Sequence, residues 1–223
     1  RVRLFIGSAG SPGVVAHAAA VAERLADRGH RTEVWAPRVH DLLTSDARRR
    51  VGTGEVPGEG SDPAAWIAAR LAGLARAGDV ADIHHAQDAT AAVALIAARA
   101  EGVVPAVVRT VHHLEPAATH SLDEMQRASL QDVDARVCVS ATWAQRLHEE
   151  LSVDSVVIPN GVDRLGPVPA ACGREMAGAH FGWGARPAVL TMGGISRRKG
   201  SRVVLEAFAR AAHDLGGEAD AFS

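Results

Sequence analysis

The 223 residues of the chain are enough for one complete α/β domain and part of a second. Hydrophobic residues make up 47% and charged residues 22% of the chain, and the net charge is -2, which argues against a basic nucleic-acid-binding surface and a disordered acidic tail. Arg1 leads directly into an apolar run and no apolar stretch reaches the roughly 20 residues of a membrane span, so we expect a cytoplasmic protein with no nucleic-acid partner and at most peripheral membrane contact.

Short apolar runs alternate with segments of helical periodicity over residues 1–164. The predicted strands cover residues 1–6, 31–36, 81–85, 106–111, 135–139 and 155–158. The predicted helices cover residues 14–28, 63–77, 89–100, 122–130 and 141–151. The glycine-rich stretch 45–61 follows neither pattern and is interpreted as a mobile surface loop. The alternation predicts an α/β fold with a Rossmann-like, doubly wound parallel sheet, in which ligands bind beyond the carboxyl ends of the strands.

The pattern changes after residue 164. Residues 165–187 are rich in proline and glycine and are interpreted as an interdomain linker with one helix near 172–181. A strand over 188–192 and a helix over 201–213 follow. One strand and one helix cannot bury a core, so residues 188–223 are interpreted as the truncated start of a second Rossmann-like domain.

Polar residues follow several predicted strands at the edge where a ligand is expected. The first strand leads into the loop Gly7–Gly13 and His17, and later strands lead into His84, His85, Gln87, Asp88, His112, His113 and residues 159–163. Each residue taken alone fits a role in helix capping or loop structure. The set as a whole predicts a ligand-binding cleft.

The spacing of Gly7, Gly10 and Gly13 is also found in nicotinamide-dependent dehydrogenases of the extended short-chain type. Two observations argue against such an enzyme. The second strand ends V-W-A-P at residues 34–37, without an acidic residue for a ribose hydroxyl. The chain also contains no tyrosine, so the tyrosine–lysine catalytic pair of that family cannot form.

Two further residue types restrict the chemistry. Cys138 and Cys172 match no metal-ligand spacing and are interpreted as free thiols, and no metal site is predicted. Lys199 is the single lysine among 24 lysines and arginines, and it lies in a loop that opens a predicted helix.

Several motifs occur together and in a fixed order. Residues 82–88 read D-I-H-H-A-Q-D, and residues 108–113 read V-R-T-V-H-H. Residues 157–163 read V-I-P-N-G-V-D, and residues 189–200 read V-L-T-M-G-G-I-S-R-R-K-G. Together with the opening helix they resemble the family 4 retaining glycosyltransferases, which have two Rossmann-like domains in the GT-B fold. The resemblance covers nearly all of residues 1–213.

The resemblance implies a metal-independent hexosyltransferase that moves a hexose from a nucleotide-sugar to an acceptor with retention, without a cofactor beyond the donor. Arg198 and Lys199 would bind the donor diphosphate, because the departing nucleoside diphosphate develops negative charge that fixed cations stabilise. The family often has Gly-Arg where this chain has Gly193-Gly194, which leaves Arg198 as the phosphate arginine.

On the acceptor side, the resemblance implies that the acceptor lies over Gly13, His17, Gln87 and Asp88. It also implies that His112 is catalytic and faces the transferred sugar. Gly13 is followed by a valine where the family commonly has a second glycine. The acceptor itself, a sugar, a lipid or another small molecule, is not specified by these residues, and neither are the nucleotide and the hexose.

The implied domains are an acceptor-side domain over 1–164, the linker 165–187 and the start of a donor-binding domain over 188–223. The paired glutamates with which the family contacts the donor have no counterpart in this sequence, so we expect the 223-residue chain to be inactive alone. A different class of function stays open: a non-catalytic Rossmann-like module that binds a sugar or a partner through the same cleft. A continuation with two glutamates at a helix start would favour the enzyme.

Overall fold

The structure of the chain, a computed structural model, describes residues 1–7, 12–36, 52–55, 80–114, 120–162, 173–184, 190 and 200–214. The chain forms two compact units, Arg1–Gly161 and Val162–Ser223.

The described part of the first unit is a parallel sheet with helices on both faces. Its strands are β1 (Val2–Phe5), β2 (Thr32–Ala36), β3 (Gly52–Glu55), β4 (Ile83–Ala86), β5 (Val107–Val111), β6 (Ala135–Cys138) and β7 (Val156–Val157). Its helices are α1 (Pro12–Asp27), α2 (Ala89–Ala100), α3 (His120–Gln131) and α4 (Ala141–Leu151). The strand order is β3-β2-β1-β4-β5-β6-β7, with parallel pairing throughout. The predicted Rossmann-like, doubly wound fold is confirmed.

Helices α2 and α4 have the predicted bounds because a capping side chain fixes the start of each. Asp88 is the N-cap of α2 and Ser140 is the N-cap of α4, and each side chain accepts a hydrogen bond from a backbone N–H in the first turn. Helix α1 begins two residues before the prediction, and Gly29 adopts a φ of 85° just beyond its end. The predicted helix over 63–77 lies outside the described residues.

One prediction of the first unit was wrong. Residues 52–55 lie within the stretch interpreted as a loop, but they form β3 and pair in parallel with β2, with Glu33 opposite Gly52. Pairing at the edge of a sheet uses backbone N–H and C=O groups, which every one of these residues carries. A strand of sequence G-T-G-E therefore gives no alternation of apolar side chains from which it could be predicted.

Alternation along the strands divides the core into two layers. On one face, Leu4 and Val34 pack with Ala18 and Ala22 of α1. On the other face, Phe5, Trp35, Ala86 and Val107 pack against the alanine-rich helix α2. A third cluster fixes α3 and α4 on that second face and consists of Val111, Leu114, Leu130, Cys138 and Leu147. Cys138 is a buried free thiol there, as predicted.

The described part of the second unit contains helices α5 (Arg174–Phe181) and α6 (Ser201–Asp214). Both helices were predicted, and Gly182 ends α5 with a φ of 75°. The predicted strand over 188–192 lies outside the described residues except for Leu190. Each helix that the structure describes, in either unit, is too short or too polar to cross a membrane.

Candidate functional site

The carboxyl ends of β1, β4 and β5 lie side by side at the centre of the sheet. They are followed respectively by Gly7, by Gln87 and Asp88, and by His112. The polar residues that the sequence places after three separate strands therefore meet at one edge, as the parallel fold requires.

Asp88 ties two of these elements together. Its Oδ2 accepts a hydrogen bond of 2.8 Å from the backbone N–H of Gly7, and its Oδ1 accepts one of 2.8 Å from the N–H of Ala91 in α2. A Cβ on Gly7 would lie 2.8 Å from the nitrogen of Ala91 and 2.9 Å from Cβ of Thr90, so a side chain does not fit between β1 and the start of α2. Asp88 thus caps α2 and also holds the backbone after β1 against the start of that helix, at the edge of the site.

Gln87 and His112 are joined across the ends of β4 and β5. Oε1 of Gln87 lies 3.1 Å from Nε2 of His112. Gln87 is only 2% exposed, and its backbone N–H donates a hydrogen bond of 2.9 Å to the carbonyl of Phe5. Nε2 of Gln87 has no hydrogen-bond partner among the described residues. Gln87 is thus held both through its backbone N–H and through the carbonyl oxygen of its side-chain amide.

Helix α1 adds a second imidazole to this group. The rings of His17 and His112 meet edge to face, with centroids 4.8 Å apart and planes inclined at 84°. His17 also forms a hydrogen bond with the side chain of Asn160, which follows β7. His17 of α1 and Gln87 after β4 thus contact the His112 ring, and Asn160 after β7 is linked to it through His17.

A third imidazole lies beside the pair. Nε2 of His85 is 2.7 Å from Oγ1 of Thr110, so a hydrogen bond joins β4 to β5 just before the strands end. His85 precedes Gln87 by two residues, and Thr110 precedes His112 by two, so all four lie on the face of the sheet that α1 covers. We call His17, His85, Gln87, His112 and Asn160 the strand-end cluster.

The imidazoles of this cluster are held in the neutral form. Burial, together with repulsion from His17, His113 and Arg109, lowers the pKa of His112 from 6.5 to about 4. Burial likewise lowers the pKa of His85 to about 4, with added repulsion from His17 and His112. Burial also lowers the pKa of His17, against a smaller raising effect of the hydrogen bond with Asn160. At neutral pH the cluster therefore offers uncharged donors and acceptors.

Arg109 lies on the opposite face of β5 and does not serve as an exposed cation of this site. It is 3% exposed, and its Nη1 donates to the carbonyl of Gln126, at 2.9 Å, and to Oγ of Ser129. Burial lowers its pKa to about 10, while the carboxylate of Asp88 opposes this. Its contacts fix α3 against the sheet.

The structure brings four of the predicted site residues to one edge: His17, Gln87, Asp88 and His112. Gly13 is exposed on the first turn of α1. Arg198 and Lys199 lie outside the described residues. The structure adds Thr110, which the sequence analysis did not assign to the site, and His85 and Asn160, which it named only as strand-end residues. The sequence feature that could have identified His85 and Thr110 is their two-residue spacing from Gln87 and His112, which places them on the same face of the sheet.

The chain matches the family model described as Glycosyltransferase Family 4 over residues 12–164. No match is found among curated protein sequences. Among solved structures, it resembles a glycosyltransferase from Rickettsia africae ESF-5, with a TM-score of 0.69 at 20% identity over 95% of this chain and 57% of that one. It also resembles the catalytic domain of starch synthase IV from Arabidopsis thaliana bound to ADP and acarbose, with a TM-score of 0.51 at 15% identity over 73% of this chain and 51% of that one. The chain therefore spans little more than half the length of either structure.

Proposed function

The chain belongs to glycosyltransferase family 4, and on that premise we propose that it forms the acceptor side of an enzyme that transfers a hexose from a nucleotide-sugar with retention of configuration. The proposal rests on the strand-end cluster, whose residues all lie within the matched residues 12–164. Its neutral imidazole and amide groups are suited to sugar hydroxyls, which both donate and accept hydrogen bonds.

The neutral state of His112 suits a group beside the reacting sugar. Glycosyl transfer passes through a transition state with oxocarbenium character, and positive charge accumulates on the sugar ring. An imidazolium next to that ring would raise the barrier by repulsion, whereas the neutral ring of His112, whose pKa is about 4, does not. We assign to His112 the contact with the transferred sugar.

The acceptor side of the proposed site lies over α1 and the end of β4. His17 and Gly13 are partly or fully exposed on α1 and would contact the acceptor directly. Gln87 and Asp88 would form the floor, because the side chain of Gln87 is buried and both carboxylate oxygens of Asp88 accept backbone hydrogen bonds. The acceptor is a sugar, a lipid or another small molecule that carries a nucleophilic hydroxyl, and we expect the reaction to take place in the cytoplasm.

A transfer assay with product analysis by proton NMR tests this function in a protein that carries a complete second unit. Nucleoside-diphosphate hexoses are supplied with a panel of hydroxyl acceptors, and the anomeric coupling of the first product is compared with that of the donor. We expect the same anomeric configuration in both, and no transfer by the 223-residue chain alone. An inverted product would contradict retention, and sugar binding without transfer would favour a non-catalytic binding module.

We further propose that Arg198 and Lys199 bind the donor diphosphate without a metal ion. Replacing either with alanine should weaken nucleoside-diphosphate binding about tenfold to a hundredfold, since a hydrogen bond to a charged group contributes roughly 1.5–3 kcal/mol. Calorimetric titration measures this, and EDTA should leave transfer unchanged. Unchanged affinity in both variants would refute the assignment.

A further inference from the structure

The contact between Gln87 and His112 determines more than the position of the ring. Oε1 of Gln87 faces Nε2 of His112 at 3.1 Å, and a carbonyl oxygen only accepts hydrogen bonds. With the amide of Gln87 in this orientation, the hydrogen of the bond belongs to Nε2 of the imidazole. A neutral imidazole carries one N–H, so Nδ1 of the same ring keeps a lone pair and acts as an acceptor.

The surroundings of His112 keep it in the neutral form for which tautomers exist. The ring is partly buried, it meets His17 edge to face at 4.8 Å, and Arg109 and His113 add positive or potentially positive charge nearby. The described groups around the ring are thus the imidazoles of His17, His85 and His113 and the amide of Gln87, while the cationic Arg109 acts on the ring from the opposite face of β5. Among these, the carbonyl of Gln87 is the acceptor that distinguishes the two nitrogens.

We propose that Gln87 is a positioning residue that selects the Nε2–H tautomer of His112, so that Nδ1 accepts a hydrogen bond from a hydroxyl group of the bound sugar. A lone pair at Nδ1 attracts a hydroxyl donor and repels the oxygens of a phosphate or carboxylate. The identity of the ligand as a sugar rests on the proposed function, whereas the tautomer follows from the contacts of this chain.

A role in packing alone does not account for Gln87. The residue is 2% exposed, yet its Nε2 has no hydrogen-bond partner among the described residues. Burying an amide donor without a partner destabilises a fold, and an apolar side chain of similar length would fill the same volume without that cost. Within the described part of the chain, the side-chain amide forms one hydrogen bond, between its Oε1 and His112, and an apolar side chain could not form it.

Nitrogen-15 NMR of the 223-residue chain with labelled histidine tests the proposal directly. At neutral pH we expect Nε2 of His112 to show the shift of a protonated, pyrrole-type nitrogen and Nδ1 that of an unprotonated, pyridine-type nitrogen. In Gln87→Met, which preserves length and removes the acceptor, we expect this separation to collapse toward a mixture of tautomers. In Gln87→Glu, we expect the Nε2–H form to persist and the pKa of His112 to rise by about one to three units.

The His85 resonances, fixed by Thr110, report whether each variant keeps the fold of the cluster. An Nδ1–H form of His112 in the unaltered chain, or an unchanged tautomer in a folded Gln87→Met, would overturn the proposal. If Gln87→Met does not fold, the spectra of the unaltered chain and of Gln87→Glu still test whether Gln87 selects the tautomer of His112. Because these spectra need no donor or acceptor, the two proposals can fail separately. A correct tautomer with no sugar transfer by a protein that carries a complete second unit would refute the proposed function alone, and transfer by that protein with the wrong tautomer would refute the role of Gln87 alone.

Discussion

The sheet of the first unit contains two groups of buried polar side chains: one contains ion pairs, and the other consists of uncharged groups. The first, which we call the charged cluster, lies between β1, β2 and β4 and consists of Arg1, Arg3, Glu33, Trp35 and His84. Arg3 is 1% exposed, and its Nε donates to Oε2 of Glu33 at 2.6 Å. Glu33 also accepts from Arg1 and, at 3.1 Å, from Nε1 of Trp35. This cluster satisfies its charges by ion pairing within the fold.

The strand-end cluster has no such ion pairs among its members. Its imidazoles are neutral because burial lowers the pKa of His17, His85 and His112, and Nε2 of Gln87 has no partner among the described residues. Burial acts to raise the pKa of Glu33, but the hydrogen bonds from Arg1 and Arg3 outweigh it and hold that pKa below its usual value. The ion pairs indicate that the charged cluster stabilises the sheet, whereas the strand-end cluster lies at the carboxyl edge of the strands, where a ligand is expected. Unpartnered polar atoms do not separate the two clusters, because both ring nitrogens of His84 also lack a hydrogen-bond partner among the described residues.

The largest expected effect is on the charged cluster. Glu33→Gln removes the carboxylate charge that pairs with the buried guanidinium of Arg3, so the free energy of unfolding should fall by about 3–5 kcal/mol. Glu150→Gln makes the same chemical change in the exposed pair of Glu150 with Arg146 and should cost less than about 1 kcal/mol. Urea denaturation of the two variants measures the difference. Equal losses would show that Glu33 is not the centre of a buried ion pair.

A pH effect should follow from the histidine of the charged cluster. Burial, with repulsion from Arg3, lowers the pKa of His84 from 6.5 to about 4. The unfolded chain therefore takes up this proton first as the pH falls. His84 should contribute a loss of stability between pH 6.5 and about pH 4 of roughly 1 kcal/mol per pH unit, and no further loss below that range.

His84→Phe removes this titrating group and keeps a ring stacked on Phe5, whose centroid lies 5.9 Å from that of His84. The free energy of unfolding, measured by denaturation between pH 4 and pH 7, should depend less steeply on pH in the variant. His85 and His112 still titrate, so a part of the slope should remain. An unchanged slope would show that folding does not lower the pKa of His84.

A smaller effect should come from the scaffold of the strand-end cluster. Gly7→Ala places a methyl group 2.8 Å from the nitrogen of Ala91 and should destabilise the fold by about 1–3 kcal/mol, because the backbone there cannot yield easily. Gly161→Ala is the control, since a Cβ there meets no atom of the described residues within 4 Å, and it should change stability by at most about 0.5 kcal/mol. Thermal unfolding of the pair checks this, and equal melting temperatures would contradict the close approach of β1 to α2.

Local signals in the sequence predicted the elements best. The helical periodicity of residues 89–100 and 141–151 predicted α2 and α4, and the structure shows that Asp88 and Ser140 cap their starts. Such a cap is a local feature, because it acts on the backbone two or three residues away. The strand β3 could not be predicted in this way, since its pairing with β2 depends on backbone groups that every sequence carries.

The site was predictable only as a set of residues at one edge. The parallel topology brings Gln87 and His112 to the same edge whatever their side chains are. Which atoms meet depends on tertiary packing: the contact of His17 with His112 requires the rotation of α1 about its axis, and the bond of Gly7 to Asp88 joins residues 81 positions apart. Neither the rotation of α1 nor the hydrogen bond between Gly7 and Asp88 can be inferred from residue spacing or composition.

The most direct test of the account compares the adjacent histidines in a protein that carries a complete second unit. His112 is held by Gln87 and His17, whereas His113 is exposed. His112→Ala should lower kcat for sugar transfer at least about fivefold, the effect of one lost hydrogen bond of about 1 kcal/mol, with little change in donor affinity. His113→Ala should change kcat less than His112→Ala does. A larger loss of kcat in His113→Ala, or a loss in His112→Ala confined to donor affinity, would contradict the assignment of His112 to the transferred sugar.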